Sequence, residues 1–346
     1  MRRVMKLAAV ALAGALMVAG CGGDDEPTDT GTSTGESKLK VGLAYDIGGR
    51  GDQSFNDAAA AGLEKAKSEF GLEVRELEAS TGESNADKEE RLRLLAQGGF
   101  NPIIGVGFAY AEPLGKVANE FPDTKFAIVD DASDASKGAN IANLTFAENE
   151  GSFLVGVIAA LKSQSGTVGF VGGVEVPLIK KFEAGYKAGA EAGKAGTKVQ
   201  STYLTQPPDF TGFNDPAKGK TAAEGQIDAG ADVVYQAAGG SGGGVFQAAQ
   251  AAGKMAIGVD SDQYATADPA VRDVIITSML KKVDVAVFDF IKTVNDDVFK
   301  AGEKVYDLKA GGVDYSTSGG KIDDIKAQVD GFKEKIVAGE IKVPTS

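Results

Sequence analysis

The sequence predicts an α/β protein with two similar lobes, each built on a mainly parallel sheet. Short apolar runs of strand length alternate with Ala-rich segments of helical spacing, and this series occurs twice along the chain. Most of the strand candidates are apolar at every position, which is typical of strands covered by helices on both faces.

The first residues predict an export signal that is not part of the fold. Basic residues precede an apolar stretch of residues 7–18, which is too short to cross a hydrocarbon core of about 30 Å. The stretch ends at Val18-Ala19-Gly20-Cys21, and Cys21 is the only cysteine of the chain. Because these four residues resemble the lipobox of bacterial lipoproteins, residues 1–20 are interpreted as a signal peptide and Cys21 as a lipidation site. The alternative is an ordinary signal peptide that contains a cysteine.

Residues 21–37 contain no large apolar side chain and predict a flexible tether. A tether that starts at a lipid would hold the globular body at the extracytoplasmic face of the cell membrane. No later segment offers about 18 uninterrupted apolar residues, so the sequence predicts no second anchor.

Charge and composition exclude several classes of function. The net charge is −13, and it becomes −16 once Arg2, Arg3 and Lys6 are removed with the signal peptide. Nucleic acid is therefore a poor ligand, since binding it needs clustered Lys and Arg. The chain has no histidine and one cysteine, which removes the usual zinc ligands and the usual general base. The Asp-rich stretches lack the spacing of a calcium loop, so we expect neither a metal nor a cofactor.

The body from Lys38 onward is long enough for two domains. The strand candidates, in order, are residues 39–45, 72–77, 102–106, 125–130, 167–171, 198–204, 232–236 and 255–259. The helix candidates are residues 55–70, 87–97, 151–161, 179–192, 217–229 and 283–299.

Ligands of open α/β sheets bind beyond the carboxyl ends of the strands, so the strand-to-helix junctions are the candidate sites. The first strand runs through Asp46 into a Gly-rich loop that ends at Ser54, Phe55 and Asn56. Ser54 is a plausible N-cap of the helix. A Phe at the mouth of a cleft stacks on flat rings, and Asn hydrogen-bonds the edge of a heterocycle, although a core Phe is an equally good interpretation.

Several separated motifs together resemble one known family. They are Asp46 with Asp52-Gln53-Ser54-Phe55-Asn56, then residues 125–130, residues 258–263 and Thr277-Ser278-Met279-Leu280-Lys281. The chain from Lys38 to its end is similar to the basic membrane protein family of purine nucleoside receptor A-like lipoproteins, the substrate-binding proteins of nucleoside ABC transporters. The resemblance implies a type I periplasmic-binding-protein fold, with two Rossmann-like lobes and a hinge of crossing strands.

The resemblance also implies where the chain crosses between the lobes. Residues 38–146 with about 278–306 would form the N-terminal lobe, and residues 147–277 with about 307–346 the C-terminal lobe.

Roles for individual residues follow from the resemblance as well. Phe55 and Phe213 match aromatic side chains that stack on the base from opposite lobes, and Asp260 resembles the carboxylate that binds the ribose hydroxyls. Lys281 contributes from the hinge side, and Gly242, in the Gly-rich segment 239–244, matches a backbone contact.

Asp46, Asn56 and Asp130 match polar positions that hydrogen-bond the ligand, with Asn56 and Asp130 at the base edge. Taken alone, Asp130 and Asp260 would be interpreted as turn residues and Lys281 as a solvated lysine.

The predicted function is uptake of a purine nucleoside, such as guanosine, adenosine or inosine, by a monomeric binding protein that delivers it to an ABC transporter permease. The alternatives are a sugar-binding protein of the same fold, a nucleoside-cleaving enzyme, and a surface sensor or adhesin. Residues 239–244 lack the Gly-Lys-Ser/Thr ending of a Walker motif, and the chain has no histidine, so enzymatic activity is not expected.

Overall fold

The computed structural model describes residues 39–346. The predicted signal peptide, Cys21 and the tether lie outside the described residues. The described part folds on two six-stranded sheets with helices packed against them, and we call each sheet with its helices a lobe. This confirms the predicted fold class.

The first lobe begins with a stretch of strands and helices that alternate as far as its last two strands, which follow each other without an α-helix between them. The strands whose residues are nearly all apolar are buried. The strand at the edge of the sheet, residues 73–77, is partly exposed. The elements are β1 (Lys40–Ala44), α1 (Phe55–Phe70), β2 (Glu73–Leu77), α2 (Asn85–Gln97), β3 (Ile103–Gly105), α3 (Ala111–Glu120), β4 (Phe126–Val129) and β5 (Ile141–Phe146).

The second lobe repeats this alternation. Its elements are α4 (Glu148–Lys162), β6 (Thr167–Val174), α5 (Pro177–Gly193), β7 (Lys198–Thr205), α6 (Pro216–Asp228), β8 (Val233–Ala237), α7 (Gly242–Ala252), β9 (Met255–Asp260), α8 (Gln263–Thr266), α9 (Pro269–Arg272) and β10 (Ile275–Lys281). The chain then continues through α10 (Val283–Asn295), β11 (Gly302–Tyr306), β12 (Val313–Tyr315) and α11 (Lys326–Val337).

The two sheets have the same strand order in space. The first runs β11-β5-β4-β3-β1-β2 and the second β12-β10-β9-β8-β6-β7. Every neighbouring pair is parallel except β10 with β12, which is antiparallel. β4 and β9 hold the same place in their sheets, so the carboxyl ends of these two strands lie at equivalent positions in the two lobes.

The chain returns to the first lobe later than expected. The predicted return near residue 278 falls inside β10, whose whole length pairs with β9 in the second sheet. The return comes with α10, which packs against α1 at Gly62, where an added Cβ would lie 2.4 Å from the carbonyl oxygen of Asp284. β11 then completes the first sheet, and β12 lies in the second.

Five helices were absent from the prediction, namely α3, α7, the short α8 and α9, and α11. α3 contains Pro113, but that residue lies in the first turn, where no N–H is needed for the helix. α7 begins in the Gly-rich segment that was interpreted as a loop. Glycine is needed there for packing, because a Cβ on Gly244 would lie 1.8 Å from the carbonyl oxygen of Pro216 in α6.

Candidate ligand-binding site

A cavity lies between the two lobes, and the space in and around it that is free of protein atoms, including the part open to solvent, is about 550 Å³. First-lobe residues that line it are Asp46, Ile47, Asp52, Phe55, Asn56, Phe108 and Asp130; those of the second lobe are Leu178, Ile179, Phe182, Phe213, Ala237, Gly239, Val259, Asp260 and Lys281.

The cavity brings together all the sequence-predicted ligand residues except Gly242. Gly242 is the first residue of α7, and a Cβ there would meet the side chain of Gln236 at 2.4 Å. Gly239, three residues earlier, lines the cavity in its place and has a φ of 55°. The Gly-rich segment bends toward α7 before it reaches Gly242. Gly239, which is nearer to β8, therefore borders the cavity.

Asp130 and Asp260 occupy equivalent places at the ends of β4 and β9. Their φ angles are 69° and 64°, in the left-handed region that non-glycine residues rarely adopt. Such a conformation costs about 1 to 3 kcal/mol and is concentrated at functional sites. In both lobes this strained residue is an aspartate that lines the cavity.

Lys281, at the end of β10, joins the lobes by a buried ion pair with Asp130. Only 2% of the lysine side chain and 4% of the aspartate side chain are exposed. The Lys281 ammonium also lies 4.8 Å from the ring centroid of Phe55 and 5.6 Å from that of Phe182. Burial by itself lowers the pKa of an amine, but nearby carboxylates outweigh it and raise the pKa of Lys281, which is therefore charged. The second oxygen of Asp130, Oδ1, is buried without a hydrogen-bond partner in the protein.

A second connection between the lobes is built around Asp260. Its Oδ2 accepts a hydrogen bond from the hydroxyl of Ser54, and the carbonyl of Gln53 accepts one from Ser261 Oγ at 3.0 Å and one from Gln263 Nε2 at 2.9 Å. Burial raises the pKa of Asp260 to about 6. These contacts hold the two lobes together beside the cavity.

The cap of α1 differs from the prediction. Ser54 stands at the N-cap position but makes no side-chain cap bond, because its hydroxyl binds Asp260. The carboxylate of Asp52 accepts the N–H groups of Ser54, Asn56 and Asp57 at 2.8 to 3.1 Å. Asp52 therefore caps the helix and leaves Ser54 available to the second lobe.

Asn56 holds the loop that carries Asp46. Its Oδ1 accepts from the N–H of Asp46 at 3.1 Å, and its Nδ2 donates to Asp52 Oδ2 at 3.1 Å and to the carbonyl of Ile47 at 3.4 Å. Burial raises the pKa of Asp46 to about 7, and one of its oxygens accepts from the N–H of Ile47. Asn56 borders the cavity, but most of its hydrogen-bonding capacity is used within the loop.

Aromatic rings from opposite lobes border the cavity. Phe55 and Phe213 are both half-buried and line it from the first and second lobe respectively. Phe213 meets Phe108 edge-to-face with ring centroids 6.4 Å apart, and Phe108 meets Phe210 in the same way at 6.0 Å. Phe108 was not among the predicted site residues, although its place just after β3, beyond Gly107, follows the same strand-end rule as Asp46.

An apolar wall that was not predicted is formed by Leu178, Ile179 and Phe182 in the first turns of α5. Their helical spacing is that of an ordinary core-facing stripe, so no sequence pattern distinguishes them from core residues. Glu148 was omitted too: it is 1% exposed, with Oε1 at 3.9 Å from Lys281 Nζ, and burial raises its pKa.

The cavity thus presents carboxylates, rings and an apolar wall. Carboxylates accept hydrogen bonds only, so a matching ligand brings donors and flat or apolar faces. Within residues 39–346, no group of three or more acidic, His or Cys side chains is arranged to hold a metal ion. Over the same range, none of the helices combines the length and the apolar character needed to cross a membrane.

Comparison with known proteins agrees with this geometry. The family model described as PnrA-like ABC transporter substrate-binding protein matches residues 38–346. The nucleoside-binding protein BmpA of an ABC transporter of Lactococcus lactis is 35% identical over 99% of both chains. An uncharacterized lipoprotein of Pyrococcus abyssi is 37% identical over 94% of this chain and 78% of its own.

Among solved structures, an ABC transporter solute-binding protein of Aeropyrum pernix is 32% identical, covers 89% of this chain and 94% of its own, and superimposes with a TM-score of 0.77. The chain therefore belongs to the Bmp family and is a substrate-binding protein of the ABC transporter type.

Proposed function

We propose that this protein binds a purine nucleoside between its lobes and delivers it to an ABC transporter permease. The observation that carries the proposal is a single cavity lined by Phe55 and Phe213 from opposite lobes and by Asp46, Asp130 and Asp260 around them. BmpA of Lactococcus lactis, 35% identical, is named a nucleoside-binding protein.

The rings would hold the base. Stacking of a base on an aromatic side chain contributes about 1 to 3 kcal/mol, and a purine offers two faces to Phe55 and Phe213. The two rings have different neighbours in the protein. The ammonium of Lys281 lies near the ring of Phe55, and the ring of Phe108 lies near the ring of Phe213. If the two lobes moved apart, Phe55 and Phe213 would separate and could no longer stack on the same base. Base binding and lobe closure are therefore coupled.

The carboxylates would accept the donors of the ligand. A ribose diol offers two hydroxyl donors to one carboxylate, and such charge-assisted bonds are the stronger kind. Asp130 Oδ1 is buried and lacks a partner, which favours a ligand that donates to it. A deoxynucleoside would offer Asp260 fewer hydroxyl donors than a ribonucleoside does, so it should bind more weakly.

We also propose that the protein transports and does not cleave its ligand. Hydrolysis of a nucleoside requires an activated base or a metal at the sugar, and the chain has no histidine to serve as the usual base. The lipid on Cys21 and the tether of residues 21–37 would keep the protein at the extracytoplasmic membrane surface; relatives such as the Pyrococcus protein are named lipoproteins.

Thermal unfolding with a ligand panel tests the proposal. The protein is stripped of bound ligand by partial unfolding and dialysis, then heated with guanosine, adenosine, inosine, free bases, deoxynucleosides and hexoses. At about 100 times Kd a ligand stabilises the fold by about 2.7 kcal/mol, which raises Tm by about 4 °C for a body of this size. A shift with ribonucleosides supports the proposal. A shift with a hexose and with no nucleoside refutes it in favour of sugar binding, and release of free base from inosine refutes the transport role.

A further inference from the structure

Glu148 is a buried acid at the point where the chain first passes from one lobe to the other. It is the first residue of α4, and the preceding Ala147 donates its N–H to the carbonyl of Tyr306 at the end of β11. The side chain is 1% exposed and does not line the cavity.

Its position makes it part of the charge system of the ligand site. Oε1 lies 3.9 Å from the Lys281 ammonium, which Asp130 already pairs with. Oε2 has no hydrogen bond and lies 3.7 Å from the ammonium of Lys181, a side chain that is 37% exposed and so screened by solvent. Two buried carboxylates therefore share one buried amine.

The surroundings of Lys281 exclude water and keep these charges strong. The rings of Phe55, Phe146 and Phe182 lie 4.8, 5.2 and 5.6 Å from its ammonium. Asp46 and Asp260 add further negative charge along the cavity wall. A lone buried lysine would attract a phosphate, but this one is more than neutralised by its neighbours.

We propose that Glu148 is a specificity-determining residue: together with Asp130 it cancels the charge of Lys281, so that the cavity accepts neutral nucleosides and rejects their 5′-monophosphates. The inference rests on the nucleoside function proposed above. Glu148 acts at a distance, through the field in the cavity and not through contact with the ligand.

The size of the effect follows from Coulomb's law. If the phosphate of a bound monophosphate lies about 8 Å from the Glu148 carboxylate and the effective dielectric constant is about 20, one unit charge changes the affinity about thirtyfold for each negative charge of the ligand, and a monophosphate carries nearly two at pH 8. Removal of the charge of Glu148 should therefore improve monophosphate binding by more than tenfold and leave nucleoside binding within about fivefold. Measurements are made at pH 8, because burial raises the pKa of Glu148 and the carboxyl must be ionised in the wild type.

The test uses isothermal titration calorimetry of adenosine and adenosine 5′-monophosphate with the mature protein. Glu148→Gln and Glu148→Met are two uncharged variants of similar length, so the result does not depend on the folding of one of them. The matched control is Glu150→Gln, on the same helix, which accepts from the N–H of Leu308 at 2.8 Å and makes no ion pair with Lys281. The expected result is a ratio of the two Kd values that falls at least tenfold in the Glu148 variants and stays unchanged in the control.

An unchanged ratio, or equal weakening of both ligands, would show that Glu148 is merely structural and would overturn the inference. So would a wild-type protein that binds the monophosphate as tightly as the nucleoside. Failure of the proposed function looks different, because then the wild type binds no nucleoside at all.

Discussion

Replacement of Lys281 by methionine should destabilise the protein strongly even without ligand. The substitution keeps the length of the side chain but removes the one cation that lies within 4.0 Å of Asp130 among residues 39–346, leaving a 4% exposed carboxylate beside Glu148. Breaking a buried ion pair from one side costs about 3 to 5 kcal/mol. For a body of about 308 residues the cost corresponds to a fall in Tm of roughly 5 to 8 °C at pH 8.

The loss should depend on pH with a definite sign. Without the lysine, Glu148 loses the nearby positive charge that lowers its pKa, so the folded variant binds a proton at Glu148 more tightly than the folded wild type does. The difference in the free energy of unfolding between the variant and the wild type therefore becomes smaller as the pH falls. The change is up to about 1.4 kcal/mol per pH unit for each carboxyl that takes up a proton only in the variant.

Differential scanning calorimetry of the wild type and Lys281→Met between pH 5.5 and 8 measures both effects. Lys304→Met is the matched control, because the Lys304–Asp289 pair is 2.9 Å long but its side chains are 54% and 36% exposed. An exposed pair contributes about 0 to 1 kcal/mol, so this variant should melt near the wild type at every pH. A Lys281→Met protein that melts within about 2 °C of wild type at pH 8, or a difference that does not change with pH, would refute the reasoning.

Three further outcomes are expected. Phe213→Ala should weaken nucleoside binding about 5- to 150-fold in calorimetric titrations, the equivalent of one lost stacking contact, while Phe121→Ala, outside the cavity, should leave it unchanged. Ser54→Ala deprives buried Asp260 of an interlobe donor, so stopped-flow dissociation should be about tenfold faster; an unaltered dissociation rate would contradict a closing role for this hydrogen bond. The ligand-free wild type should become more stable as the pH falls from 8 to about 6. The folded-state pKa values of Asp46, Asp260 and Glu148 are raised, so the folded state binds more protons than the unfolded state in that range. Denaturant melts in which stability falls over this range would exclude this assignment.

The α/β class was predictable because it depends on local pattern. Strand and helix periods are visible in short windows, and the rule that ligands bind beyond the carboxyl ends of parallel strands pointed to the loop that follows β1, with Asp46. Phe213, Asp130, Asp260 and Lys281 needed the resemblance to a known family, since each of these side chains has an ordinary structural explanation.

Other parts of the site were not predictable from local pattern. The helical spacing of Leu178, Ile179 and Phe182 is the same whether the stripe faces a core or a cavity. The start of α7 at Gly242 was hidden because glycine disfavours helices unless a neighbouring helix must approach closely, as α6 does at Gly244.

By itself the sequence determined which elements form and which polar residues end the strands, since both depend on neighbours in the chain. Only the tertiary structure decided which of those ends meet. Asp130 pairs with Lys281 across 151 positions, and Ser54 with Asp260 across 206. Such partners are chosen by how the two lobes pack, and the packing of the lobes is a property of the whole folded chain that no short stretch of residues encodes.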